Sequence, residues 1–191
     1  MVNSVLVSTG GLKTITSLEA AKLLFDQEIF SLELSGGRYS STFNKDLEKI
    51  NSLANNLTLH NYCPAPKIPF VINLASSDND ILEKSVSHVA NSLELSGLHK
   101  LRHYAVHMGF LIDPKPSQLG NTLKKEKLNS RSKSLDIFFD SIHKLSEVAK
   151  KNEVKLLIEN NVITKKNISQ FGSNPLLGTN FDDIDEIMKN V

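Results

Sequence analysis

Leu57-Thr58-Leu59-His60, Tyr104-Ala105-Val106-His107 and Lys155-Leu156-Leu157-Ile158-Glu159 decide the fold. Each reads as a short strand that ends in a residue able to bind a metal. In a parallel α/β protein the C-terminal ends of the strands open onto one face, and that face holds the site. Two imidazoles and a carboxylate gathered there suit zinc or manganese.

Outward from these three segments, strand and helix patterns alternate. Ser4 to Ser8 is an apolar run closed by Gly10-Gly11, which predicts a first strand and a turn. Thr16 and Glu19 have capping-box spacing ahead of the stripe Leu18, Ala21, Leu24 and Phe25. Ile29 to Leu34 predicts the second strand. The stripe Leu47, Ile50, Leu53 and Ala54 predicts the helix before the third. A proline-rich loop from Asn61 to Ser77 leads to a helix on Leu82, Val86, Val89 and Leu93 that should stop near Gly97. The fourth strand spans His103 to Met108. A long polar connection from Gly109 to Lys133 then precedes an amphipathic helix on Leu135, Phe138, Phe139, Ile142, Leu145 and Val148. The fifth strand spans Val154 to Glu159. The tail reads as a turn, Phe171 to Pro175, and a short helix capped by Asn180 or Thr179, with Phe181, Ile184, Ile187 and Met188 apolar.

Five βα pairs make either a doubly wound open sheet or a (β/α) barrel. Gly10-Gly11 falls short of G-x-G-x-x-G, and nothing matches the P-loop pattern. The barrel is therefore the preferred reading. The 191 residues carry 22 basic and 21 acidic groups, a net charge of +1. No overall field attracts nucleic acid or an anionic membrane, and no apolar run approaches a membrane span. Met1-Val2-Asn3-Ser4 lacks a signal-peptide pattern. A single cysteine, Cys63, excludes an intrachain disulfide. A cytoplasmic setting is expected.

Among single residues, Glu159 follows four apolar residues and is expected to be partly buried, needing a cation or donors. The glycine of His107-Met108-Gly109 should leave room for a ligand or metal beside His107. Glu33 alternates with Leu32 and Leu34, so it either enters the interior near the site or pairs with a base against a helix. Tyr62 and Arg38 stand in loops where either substrate contact or ordinary packing and solvation would explain them. His88, His99, His103 and His143 lie away from the strand ends, and Cys63 has no partner histidine in the sequence. Lys124-Lys125-Glu126-Lys127 with Arg131 reads as a basic stretch that is either solvated or able to contact phosphate.

Five stretches now fall into a familiar order: Phe30-Ser31-Leu32-Glu33-Leu34-Ser35-Gly36, His60-Asn61-Tyr62, Val71-Ile72-Asn73-Leu74-Ala75-Ser76, Val106-His107-Met108-Gly109-Phe110 and Leu156-Leu157-Ile158-Glu159-Asn160-Asn161. In that order the chain resembles the xylose-isomerase-like barrel superfamily of sugar isomerases, sugar epimerases and endonuclease IV-type apurinic nucleases. The subset it is most similar to is the isomerase- or epimerase-like proteins of bacterial surface-polysaccharide genes, also described as family 2 apurinic endonucleases. The resemblance implies metal-ligand roles for His60, His107 and Glu159 from the nuclease branch. From the isomerase branch it implies metal binding and acid/base work for Glu159. It leaves Glu33, Tyr62 and Arg38 as candidates for sugar contact. Two departures favour the sugar branch. Cys63 to Phe70 separates His60-Asn61-Tyr62 from the Ile-Asn-Leu segment, and His107-Met108-Gly109 replaces His-Pro-Gly.

A full (β/α)₈ barrel takes about 250 residues, and the remaining metal ligands of the resembled proteins follow strands beyond the fifth. The expectation is thus an incomplete TIM-barrel-type α/β fold of about five parallel strands, a single partial domain over residues 1–191. Its expected function is that of a metal-dependent sugar or sugar-phosphate isomerase or epimerase with an incomplete zinc or manganese site. The alternatives are an apurinic-site endonuclease and a non-catalytic binding or assembly protein. Nucleic acid and membrane are not expected partners, whereas self-association through open sheet edges is.

Overall fold

The computed structural model describes residues 5–12 and 15–191. The segment Met1-Val2-Asn3-Ser4, including Ser4 of the expected first strand, lies outside the described residues. The chain runs β1 (Val7–Ser8), α1 (Ser17–Phe25), β2 (Ser31–Ser35), α2 (Phe43–Leu53), β3 (Asn56–His60), α3 (Asn79–Leu98), β4 (His103–His107), α4 (Arg131–Lys151), β5 (Lys155–Glu159), α5 (Lys165–Phe171) and α6 (Phe181–Asn190). The five strands form one parallel sheet in the order β1-β2-β3-β4-β5. Among the described residues β1 and β5 each have one neighbour, so the sheet is not closed.

Local sequence explains these elements. Thr16 accepts from the Glu19 backbone N–H at 3.3 Å, and Glu19 accepts from the Thr16 N–H at 2.7 Å. The expected capping box therefore starts α1. Thr16's backbone and hydroxyl donors hold the Glu19 carboxyl below its usual range. Helix α3 ends at Leu98, one residue past Gly97, near which its stop was expected. A Cβ at Gly97 would lie 2.7 Å from the Asn152 carbonyl, so glycine is required there by close packing. The helix α5 had no apolar stripe to announce it. Thr164 caps its start and Gly172, at φ 72°, ends it.

The chain divides into two compact units. The first holds the described residues up to Pro69 with Asn91–Ala105 and Ala149–Leu157. Register explains its layering. Leu32 pairs with Leu57, Leu34 with Leu59, and Leu59 with Tyr104. Paired residues in a sheet point to one side, so these form an apolar face on which Leu32, Leu34, Leu59 and Tyr104 are fully buried. Helix α1 contacts β2 and α2. The other face carries Glu33 and Ser35 beside Thr58 and His60, with Ala105 level with His60.

The second unit comprises Phe70–Ala90, Val106–Val148 and Ile158–Val191. Its apolar interior includes Leu74, Val89, Phe138, Ile142, Leu145, Leu177 and Ile187. Ile112, Leu123 and Leu176 form a cluster with Phe110, Leu128, Ile163 and Phe171 packed on it. The segment Val71–Ser76 is buried without being helix or strand. Buried backbone needs partners, and the Asn73 side chain supplies them. Its Oδ1 accepts from the Phe110 and Ala75 N–H groups at 2.9 and 3.2 Å. Its amide donates to the Ile112 carbonyl at 3.0 Å and Asp113 Oδ1 at 2.7 Å. Helix α4 starts at Arg131, earlier than the apolar stripe indicated. On α6, Ile187 is buried but Phe181 and Met188 are 88% and 74% exposed, so those two do not join the core.

Candidate metal centre

His60 closes β3 and Asn61 follows it at φ 46°, a left-handed geometry that asparagine tolerates. The Asn61 N–H donates to the Ala105 carbonyl at 2.8 Å, and the Tyr104 hydroxyl donates to the Asn61 carbonyl. The backbone beside His60 is thus pinned, and the residue is 7% exposed. Glu33, two residues along β2 from the partner of His60, brings Oε1 to 3.3 Å from His60 Nδ1. Of the two readings open for Glu33, the geometry supports entry beside the site.

His107 closes β4 and is half-buried, while Glu159 closes β5 and is exposed. The Met108 N–H donates to the Glu159 carbonyl at 3.2 Å, which ties the two strand ends together. Exposure of Glu159 corrects the expectation of partial burial. Hydrophobicity of β5 does not translate into cover, because an edge strand has one neighbour. Gly109 is corrected as well. A Cβ there would meet the Ala75 Cβ at 2.5 Å and Asn73 Oδ1 at 2.7 Å, so the glycine admits the buried Asn73 segment and not a ligand. Asn161 is the further residue that orders this end. Its amide donates to the carbonyls of Met108 and, at 3.0 Å, Leu177, and its N–H donates to the Gly178 carbonyl at 3.1 Å.

One ligand atom from each of His60, His107 and Glu159 lies within 4.8 Å of the others. Neighbouring ligands on a tetrahedral zinc with bonds near 2.05 Å are about 3.4 Å apart. Two nitrogen donors and one carboxylate are groups able to hold a divalent metal.

The remaining candidates are dispersed. Tyr62 is half-buried in the loop after β3, next to the buried Cys63. Arg38 is exposed after β2, where its charge helps lower the Glu19 carboxyl. The Cys63 Sγ is 3.9 Å from the Ser17 hydroxyl, and burial pushes its thiol up to about 12, opposite to what a nucleophile needs. His88 meets Phe70 edge-on, and His143 Nε2 lies 2.9 Å from the Asn190 carbonyl. Asn73 and Asn161 were not singled out by sequence, although an asparagine inside Val71-Ile72-Asn73-Leu74-Ala75 is the mark of a buried polar hub.

No protein-family profile matches the chain, and no curated protein matches it in sequence. Solved structures do match. A D-tagatose 3-epimerase-like protein superposes with a TM-score of 0.65 at 16% identity, over 94% of this chain and 60% of that one. A xylose isomerase-like TIM-barrel protein from Mycobacterium smegmatis, in complex with magnesium, gives 0.58 at 10% identity over 90% and 51%. Endonuclease IV from Thermus thermophilus gives 0.55 at 14% identity over 97% and 58%. The chain thus spans 60% or less of the length of each of these structures. Likeness at such identities speaks for the fold, and no membrane-crossing helix interrupts it among the described residues. Strand order, βα alternation and these superpositions agree on the fold: five parallel strands alternating with helices in an open sheet, of the TIM-barrel type.

Proposed function

We propose that this chain carries part of the active site of a metal-dependent sugar or sugar-phosphate isomerase or epimerase. The supporting observation is the convergence of His60, His107 and Glu159 at the ends of three consecutive strands. His60, His107 and Glu159 would hold the cation. A divalent metal bound there supplies Lewis acidity toward substrate oxygens. Glu159, exposed at a strand end, is the group that would take and return a proton beside the carbonyl. The buried His60 and the pinned backbone around it would hold their end of the site rigid. Tyr62 and Arg38 are proposed to meet the sugar from the loops after β3 and β2, and Glu33 from the sheet. The lone, buried thiol is compatible with a reducing cytoplasm.

The reading is tested by metal analysis of protein purified without chelator, with NMR of a panel of ketoses in D₂O. Bound zinc or manganese and deuterium incorporation next to the carbonyl, both lost in His60→Ala and Glu159→Gln, are expected. Absence of metal and of exchange in the wild type would overturn it. The likeness to endonuclease IV supports a second reading, apurinic-site incision. Its mark would be cleavage of an abasic duplex that disappears in His107→Ala. A third reading, a non-catalytic assembly protein, would show as self-association through the β1 and β5 edges in light scattering.

A further inference from the structure

We propose that Glu33 is a positioning residue that fixes which nitrogen of His60 is offered to a cation. The proposal rests on the reading of His60 as a ligand and deepens it. Parallel pairing sets Ser35 opposite His60 and Glu33 opposite Thr58. Alternation then brings Glu33 and His60 out on the same side of adjacent strands. The carboxylate Oε1 lies 3.3 Å from Nδ1, within ion-pair range though not in hydrogen-bond alignment, and the two side chains are 25% and 9% exposed. An ion pair or hydrogen bond in such a partly desolvated place is stronger than its surface counterpart.

The two nitrogens of an imidazole point away from each other. A small turn of either group would let Glu33 accept the Nδ1–H, leaving the Nε2 lone pair directed to the opposite side. In this arrangement an outer carboxylate selects the tautomer and raises the basicity of the ligating nitrogen. Asn61 and Tyr104 fix the main chain beside His60, so the ring is left to be oriented through its own side-chain contacts. A carboxylate has two oxygens, so holding His60 through one is compatible with a sugar hydroxyl at the other.

The test uses metal-free protein with ¹⁵N-labelled histidine at pH 8, above the ordinary imidazole range. Two-bond ¹H–¹⁵N spectra should show His60 as the Nδ1–H tautomer in the wild type. Glu33→Ala should shift it to Nε2–H and weaken zinc, measured by competition with a chromophoric chelator, by roughly 10- to 100-fold. Glu33→Gln keeps an acceptor without the charge, so it should retain the tautomer while zinc weakens less. A wild-type Nε2–H tautomer, or Glu33→Ala that changes neither tautomer nor zinc affinity, overturns the proposal. Should Glu33→Ala fail to fold by circular dichroism, Glu33→Gln decides: loss of the tautomer, or unchanged zinc affinity, counts against it. A wild type with the Nδ1–H tautomer but no zinc binding would sink the metal reading and with it the role toward a cation, whereas zinc binding with an Nε2–H tautomer would sink the positioning role alone.

Discussion

Cys63 and Tyr104 are fully buried ionisable groups. Burial pushes the Cys63 thiol from 9.0 up to about 12, and the Ser17 hydroxyl offsets only part of this. Burial likewise raises the Tyr104 hydroxyl. Both protons are bound more tightly in the folded chain than in the unfolded one. Stability from them is therefore fully present below pH 9 and is lost as pH rises toward 12. Urea midpoints should fall between pH 8 and pH 11, and Cys63→Ala should flatten part of that fall. Thiol reagents at pH 8 should leave Cys63 unmodified until the chain unfolds. Residue identity at the strand ends was readable from sequence because the apolar runs stop abruptly at His60, His107 and Glu159. Burial of each was not readable, since it depends on whether another strand lies alongside.

At the level of elements, the turn before α6 is held by charge where an apolar stripe is absent. Arg131, at the start of α4, donates to Asp183 Oδ1 and Oδ2 at 2.8 and 2.7 Å and to the Asn174 and Leu176 carbonyls at 3.1 and 2.9 Å. Asp183 is 4% exposed and also accepts from the Gly178 N–H at 2.8 Å. Removal of one partner leaves a buried charge, so Arg131→Ala should cost about 3 kcal/mol, read as a lower urea midpoint. The same change should free the Leu177–Gly178 turn that Asn161 grips, visible as faster hydrogen exchange there. Capping spacing and strand periodicity revealed α1 and all five strands in the sequence. Helix α5 and the role of Arg131 stayed hidden, because one has only seven residues and the other acts on residues more than 40 positions away.

For the whole molecule, the alternation of five strands and helices carried the fold class, and the open sheet follows from the same pairing. Metal should couple to global stability if the proposed centre is correct. Zinc at a hundredfold excess over its Kd contributes about 2.7 kcal/mol, which is roughly 5–10 °C in Tm for a chain of this size. Calorimetry should show that rise in the wild type and its loss in His107→Ala. The three donors differ in their contact with solvent: His60 is buried, His107 half-buried and Glu159 exposed. On the metal reading this grading separates the kinetics of capture from those of release. Glu159 would be the donor met first from solvent, and His60 and His107 would complete the hold on the cation. Glu159→Gln should then act chiefly on the association rate constant, and His60→Ala chiefly on the lifetime of the bound ion.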